Sequence, residues 1–328
     1  MTPLIPTFPR GTWTWKRPDE LGMLASNLVA LRQATGPGSG FVARHGYAVY
    51  RWGQDISIKV DWASASKPVV STLLMFALQE GLIGSVDDLI ADWGWRLKWK
   101  DRNMTFRHLA CMTSGYALPE RPGAVWGYND YGIRLYKKTV FDRVFGQPTN
   151  DVALDPVRLG TLRFQDGDLF GPDRGGYGLV TSPRDFARIG VFWLNKGNWR
   201  GTQLLAAEYF DDFCRNQVPR DLPRTAGGLD DYLKVGTDGG GTNQASQAQG
   251  FYGFNWWFNT DGATWPDAPP DTFQARGHAN AETLVVMPSL GIVAAWYGRT
   301  SASGPPALRD ANTYFRLLAQ SVVDDPTA

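Results

Sequence analysis

Trp62-Ala63-Ser64-Ala65-Ser66-Lys67-Pro68-Val69-Val70-Ser71-Thr72-Leu73-Leu74-Met75-Phe76-Ala77-Leu78-Gln79-Glu80-Gly81 is the stretch that decides how this chain folds. From Lys67 to Glu80 apolar residues fall nearly all round a helix of 3.6 residues per turn, so a buried helix that stops at Gly81 is predicted. Pro68 belongs in its first turns, where a missing amide hydrogen costs least. Ile56 to Trp62, just upstream, reads as a strand. Ser64 and Lys67 therefore share one helix face at a strand-to-helix junction. A serine hydroxyl is a weak nucleophile until a base removes its proton, and the Lys67 nitrogen can reach it. The positive end of the helix and the Ser64 amide would both favour an oxyanion formed there. No other Ser-x-x-Lys occurs in the chain.

Upstream of this junction, Glu20 to Thr35 reads as an amphipathic helix with Leu21, Leu24, Leu28 and Leu31 at helical spacing. Phe41 to Tyr50 reads as two strands around a His45-Gly46 turn. Downstream, from Ser85 to Phe213, short helical stretches such as Thr105 to Met112 and Pro183 to Asn195 alternate with Gly/Pro turns. Residues 225–250, rich in Gly, Asp, Thr, Ser and Gln, read as a long loop or insertion. Strand character returns in Phe254 to Phe258, Thr272 to Arg276, Thr283 to Val286 and Ile292 to Tyr297, followed by an amphipathic helix from Ala307 to Val322. Strands at both ends with helices between them imply one sheet made from both termini and a helical insertion.

The bulk numbers narrow the function. A chain of 328 residues with 43% hydrophobic and 20% charged residues can bury a sizeable core. A formal charge of +1, from 33 basic and 32 acidic residues, leaves no footprint for nucleic acid or an anionic membrane. A small-molecule substrate fits better. The two cysteines, Cys111 and Cys214, lie in unrelated contexts, which argues against a disulfide framework or a thiolate metal site. No basic leader followed by an apolar run opens the chain, and no run approaches a membrane span. As it stands a soluble, cytoplasmic protein is expected, or a periplasmic or secreted one if a leader has been removed. The 14 tryptophans are expected mainly in the core, some lining a substrate cleft.

The run from Trp62 through Glu80-Gly81-Leu82-Ile83-Gly84-Ser85-Val86-Asp87-Asp88 resembles class C β-lactamases and their esterase and D-peptidase relatives, a penicillin-binding-protein-like serine hydrolase family. Further segments follow in the family's order: Thr105 to Gly115, ending Met112-Thr113-Ser114-Gly115; Gly175-Gly176-Tyr177-Gly178 entering the helix from Pro183; and Tyr252-Gly253-Phe254-Asn255-Trp256-Trp257. The likeness spans about residues 40–300. It implies an α+β, β-lactamase/transpeptidase-like fold, with an antiparallel sheet built from both termini, flanking helices and a mostly helical inserted lobe. The sheet lobe would comprise about 1–62 and 251–328 and the helical lobe about 63–224, with 225–250 between them.

The resemblance also implies site residues. Tyr128-Asn129-Asp130 matches the family's Tyr-x-Asn, with Asp130 where Asn is usual. Tyr128 would take the Ser64 proton and pass it to the leaving group. A carboxylate at Asp130 favours the charged form of Lys67, which argues for Tyr128 rather than Lys67 as the base. Gly277-His278-Ala279-Asn280-Ala281 is read as the third motif, a strand entry on the cleft edge. There His278 would orient substrate or support Tyr128, and the Ala281 amide would be the second oxyanion donor. Asn280 would place a side chain in the substrate's path. His45 and His108 are expected to be structural. His278 and Glu282 make no convincing metal pair, and neither a metal nor another cofactor is expected.

A Gly-x-Ser-x-Gly elbow, a P-loop and a Gly-x-Gly-x-x-Gly opening a helix are all missing, which argues against an α/β-hydrolase and against nucleotide chemistry. The expected activity is acyl-enzyme hydrolysis of a small ester or amide, because His278 is a weaker anion anchor than the cation β-lactam and D-peptide enzymes commonly present. β-Lactam or D-amino-acid peptide hydrolysis is the alternative. A non-catalytic binding relative is a third reading, resting on Asp130 and Asn280.

Overall fold

The structure, a computed structural model, describes residues 7–53, 55–243, 246–298 and 310–323. Its centre is a seven-stranded antiparallel sheet. The strands are β1 (Gly38–Arg44), β2 (Tyr47–Trp52), β3 (Tyr252–Gly253), β4 (Trp256–Phe258), β5 (Phe273–Gly277), β6 (Glu282–Met287) and β7 (Ile292–Gly298), in the order β3-β4-β5-β6-β7-β1-β2. The β1–β2 hairpin turns at His45 and Gly46, both at positive φ (49° and 80°), as a tight two-residue turn between twisted strands requires. Strands β1 and β7 pair across Gly38↔Gly298 to Arg44↔Ile292, and this pairing joins the two ends of the chain.

Both faces of the sheet are covered. Helix α1 (Ala25–Thr35) buries Leu28 and Leu31; it begins at Ala25 rather than Glu20, because Pro18–Leu21 forms a separate 3₁₀ turn closed by Gly22 in the left-handed region. Helix α2 (Lys67–Gln79) is buried from Lys67 through Ala77, and α3 spans Asp130–Lys138. Helix α4 (Pro183–Leu194) lies so close on the sheet that a Cβ on Gly190 would come within 2.4 Å of Val293 Cγ1. Helix α5 (Ala311–Ala319) packs Tyr314 and Phe315 on Trp296, with centroids 5.8 and 6.5 Å apart. Val293 and Trp296 differ by an odd number along β7, so α4 and α5 cover opposite faces. The sheet side thus draws α4 from inside residues 63–224. The last helix was expected from Ala307, and residues 307–309 lie outside the described part.

One expected strand is drawn elsewhere. Of Ile56 to Trp62 only Val60–Asp61 is extended and paired, with Val180–Thr181, in a small separate sheet. Trp62 explains this: its ring is fully buried on Phe186, centroids 4.5 Å apart, and its Nε1 donates to the Thr181 carbonyl at 2.8 Å. Burying that indole outweighs a seventh pairing on the main sheet. Residues 225–250 hold no helix among those described, only the pair Thr242–Asn243 with Tyr128–Asn129. No helix among the described residues is long and apolar enough to cross a membrane.

Candidate active site

Ser64 sits in a 3₁₀ turn, Ala63–Ser66, that leads straight into α2. Ala63, buried beside it, takes φ +47°, a conformation a residue with a Cβ adopts at a cost, and its amide is held by Asp61 Oδ1 at 2.8 Å. The turn aims Ser64 into a cleft of about 590 Å³, while Lys67 comes up from below, only 2% exposed.

Tyr128 and Asp130 arrive on a second element. Asn129 between them caps α3, its Oδ1 accepting from the Tyr131 amide (3.0 Å) and the Gly132 amide (3.2 Å). That cap fixes the chain so that its two neighbours both reach Lys67. The Lys67 Nζ donates to Ser64 Oγ at 2.6 Å, to Tyr128 OH at 2.9 Å and to Asp130 Oδ1 at 3.0 Å. Three acceptors meet the three N–H groups of an ammonium. Burial alone would push the Lys67 pKa down, but Tyr128, Asp130 and the more distant Asp238 outweigh it and hold the group above the ordinary lysine value.

The opposite wall is the end of β5. Strand β4 pairs with it only at Trp257↔Gln274 and Phe258↔Phe273, so Ala275 to Gly277 bond to β6 alone and present a free edge. Gly277 abuts the Ser64 turn: a Cβ there would come within 2.9 Å of the Trp62 carbonyl oxygen. The strand expected to enter the third motif ends at Gly277, one residue before His278. His278 to Asn280 form a turn at positive φ (33°, 54° and 73°) rather than a strand. His278 reaches the cleft with its side chain 64% exposed and its Nδ1 2.9 Å from Glu282 Oε2; that hydrogen bond raises its pKa, against a smaller opposing effect of burial. The Ala281 amide donates to the His278 carbonyl (3.4 Å), its carbonyl accepts from the Gly298 amide, and the residue is buried and does not line the cleft, so nothing places its amide as an oxyanion donor. Asn280 is buried behind the turn, in a left-handed conformation Asn tolerates, and does not block the cleft.

Several cleft residues escaped the sequence reading. Gly239, Gly240 and Gly241, from the long loop, line it, as do Trp257, Arg174 and Arg276. Arg174 is paired with Asp61, 3.0 Å away. Arg276 lies over the Trp257 ring at 4.5 Å and has no carboxylate partner among the described residues; burial lowers its pKa and nearby Tyr128 opposes that. A signal for Arg276 was present, since it immediately precedes the glycine that ends the strand. The glycines lie in the 225–250 stretch read as a Gly-rich loop, but no local pattern places that loop at the cleft. Among the described residues no group of three or more His, Cys, Asp or Glu side chains could hold a metal ion.

An antiparallel sheet closed by both ends of the chain, flanking helices and a serine at the start of a buried helix define a β-lactamase/transpeptidase-like fold. The chain belongs to the Beta-lactamase family, whose model matches residues 59–320. Solved structures agree. A β-lactamase from Mycobacterium bovis aligns with a TM-score of 0.64 at 20% identity, over 90% of this chain and 100% of that one. EstCE1, a hydrolase with promiscuous acyltransferase activity, gives 0.62 at 15% identity over 91% and 98%. A penicillin-binding protein homologue from Caulobacter crescentus gives 0.59 at 13% identity over 92% and 99%. At such identities the likeness is one of fold. No curated protein matches the chain significantly in sequence. Members of the family are generally serine hydrolases, with esterases, acyltransferases and β-lactamases among them.

Proposed function

We propose that this protein is a serine hydrolase acting through an acyl-enzyme on a small ester or amide. The observation that carries the reading is Lys67 Nζ placed between Ser64 Oγ and Tyr128 OH, with Asp130 as its counter-ion. An ammonium that already donates three hydrogen bonds is not the base. Tyr128 takes that role when its phenolate stands beside the ammonium, and the proton travels through Nζ: Lys67 gives one proton to the phenolate as it takes one from Ser64. The Ser64 oxygen then bonds to the substrate carbonyl carbon, and the Ser64 amide supports the oxyanion. On collapse the bond to the leaving group breaks, and Tyr128 returns the proton to that group. A water molecule repeats the sequence on the acyl-enzyme and regenerates Ser64.

The test is covalent labelling. A fluorophosphonate probe is expected to form one adduct, located on Ser64 by mass spectrometry. A folded protein that carries no adduct there would overturn the enzyme reading and leave a binding relative. A second substrate reading, β-lactam or D-amino-acid peptide hydrolysis, is favoured by Arg276, a cleft cation with no carboxylate partner among the described residues. It supplies the anion anchor that His278, engaged by Glu282, supplies poorly. Nitrocefin, D-alanyl peptides and short-chain esters assayed side by side separate the two readings. Turnover confined to the carboxylate-bearing compounds, lost in Arg276→Gln, selects the second.

A further inference from the structure

Beneath the site lies an ion pair that the proposed chemistry does not use. Lys137 and Asp238 are 0% and 1% exposed, and Lys137 Nζ donates to Asp238 Oδ2 at 2.8 Å, to the Tyr177 carbonyl at 3.1 Å and to Ser66 Oγ at 3.4 Å. Ser66 in turn donates to the Ala63 carbonyl at 2.7 Å, so Lys137 braces the turn that carries Ser64. Asp238 opens the Gly239-Gly240-Gly241 run that walls the cleft.

The helix that carries Lys137 also carries Asp130 and Arg134, at positions i, i+4 and i+7 of one face. Each of the three holds the same loop. The Asp130 amide donates to the Gly241 carbonyl (3.0 Å), the Asp130 carbonyl accepts from the Asp238 amide (3.2 Å), and Asp130 Oδ2 accepts from the Gly240 amide (3.1 Å). Arg134 Nη2 donates to the Thr237 carbonyl at 2.8 Å. The approach is close: a Cβ on Gly240 would lie 2.6 Å from Asp130 Oδ2, so the carboxylate would have to shift.

We propose that Lys137 and Asp238 are positioning residues of the acyl-transfer site. Their buried ion pair clamps the Ser64 turn to the 237–241 loop, and the loop holds the Asp130 carboxylate against Lys67. The inference rests on the serine-hydrolase reading. A buried pair contributes little net stability over an apolar replacement, whereas one partner left alone is a buried, uncompensated charge. Stability and positioning are therefore separable.

The experiment compares wild type, Lys137→Met, Asp238→Asn and the double variant by thermal midpoint and by fluorophosphonate labelling rate against pH. Both single variants are expected to lose stability. The double variant is expected to regain most of the midpoint yet label at least about tenfold slower than wild type. In Asp238→Asn the alkaline limb should move to lower pH, since Asp238 favours the Lys67 ammonium and the Lys137 ammonium left behind opposes it. A double variant with restored midpoint and wild-type rate, or an unmoved limb in Asp238→Asn, overturns the inference. Should the double variant not fold, Gly240→Ala at the exposed end of the loop decides: the labelling loss is expected at an unchanged midpoint, and a wild-type rate overturns the inference. Wild-type protein that is not labelled on Ser64 overturns the serine-hydrolase reading, and the inference with it.

Discussion

Lys67 is the residue on which the site turns, because an amine with three acceptors around it is fixed in both charge and direction. Removing either oxygen that flanks it should be costly. Ser64→Ala and Tyr128→Phe are each expected to lower p-nitrophenyl acetate turnover by at least about a hundredfold, and retained activity in either would reassign the roles. Asp130→Asn makes a finer test. The Lys67 pKa is held above the ordinary value, so the ammonium needed for proton relay persists to high pH; with one supporting carboxylate neutralised the value falls. The alkaline limb of the pH–rate profile should then move down, and an unmoved limb would mean that Lys67 charge does not limit turnover. His278 has its pKa raised by Glu282, so the charged pair is present at low pH and lost as pH rises through the raised value. An NMR titration of the ring should find its midpoint above the ordinary histidine value in wild type and nearer that value in Glu282→Gln.

Among the elements, the strand-to-helix junction at Ser64 and the free end of β5 must approach closely for a substrate carbonyl to lie between them. Gly277 makes that approach, with the Trp62 carbonyl 2.9 Å from where a Cβ would stand. Gly277→Ala should lower kcat/KM for esters by about ten- to a hundredfold, because a displacement of the order of 1 Å at a reacting centre is enough to do so. Unchanged kinetics would show that β5 takes no part in the reaction. The buried helix at Lys67 to Gln79 was legible in the sequence, since an apolar run of that length bounded by Pro68 and Gly81 has few other solutions. So was the His45-Gly46 hairpin. The end of β5 was not, because a strand's end cannot be located from periodicity alone. Positive φ at His278, Ala279 and Asn280 ends β5 at Gly277; His and Asn are types that adopt it more often than others, and Ala279 carries no sequence mark of such a conformation.

At the scale of the whole molecule, the sheet joins β1 and β2 from one end of the chain to five strands from the other, and α4 seals one face. Gly190 lets that helix sit against Val293 and Leu284. Gly190→Val is expected to cost about 1–3 kcal/mol by overpacking, read as a lower urea midpoint. The folded fraction should still label on Ser64, since Gly190 does not line the cleft. A neutral effect would mean that the sheet and α4 separate easily.

The sequence by itself determined most of the elements and the pairing of Ser64 with Lys67, because hydrophobic periodicity, Gly/Pro punctuation and a three-residue spacing are local properties of the chain. It also determined that Tyr128 and Asp130 flank one another. The tertiary structure alone decided what faces them. Arg276 came to the cleft when β5 ran past the end of β4, and Gly239 to Gly241 when α3 gripped a loop about a hundred residues further along the chain. Such contacts depend on register and packing between distant segments, and no local pattern encodes them. Ser64 was readable in one dimension; the surroundings that would select its acyl group exist only in three.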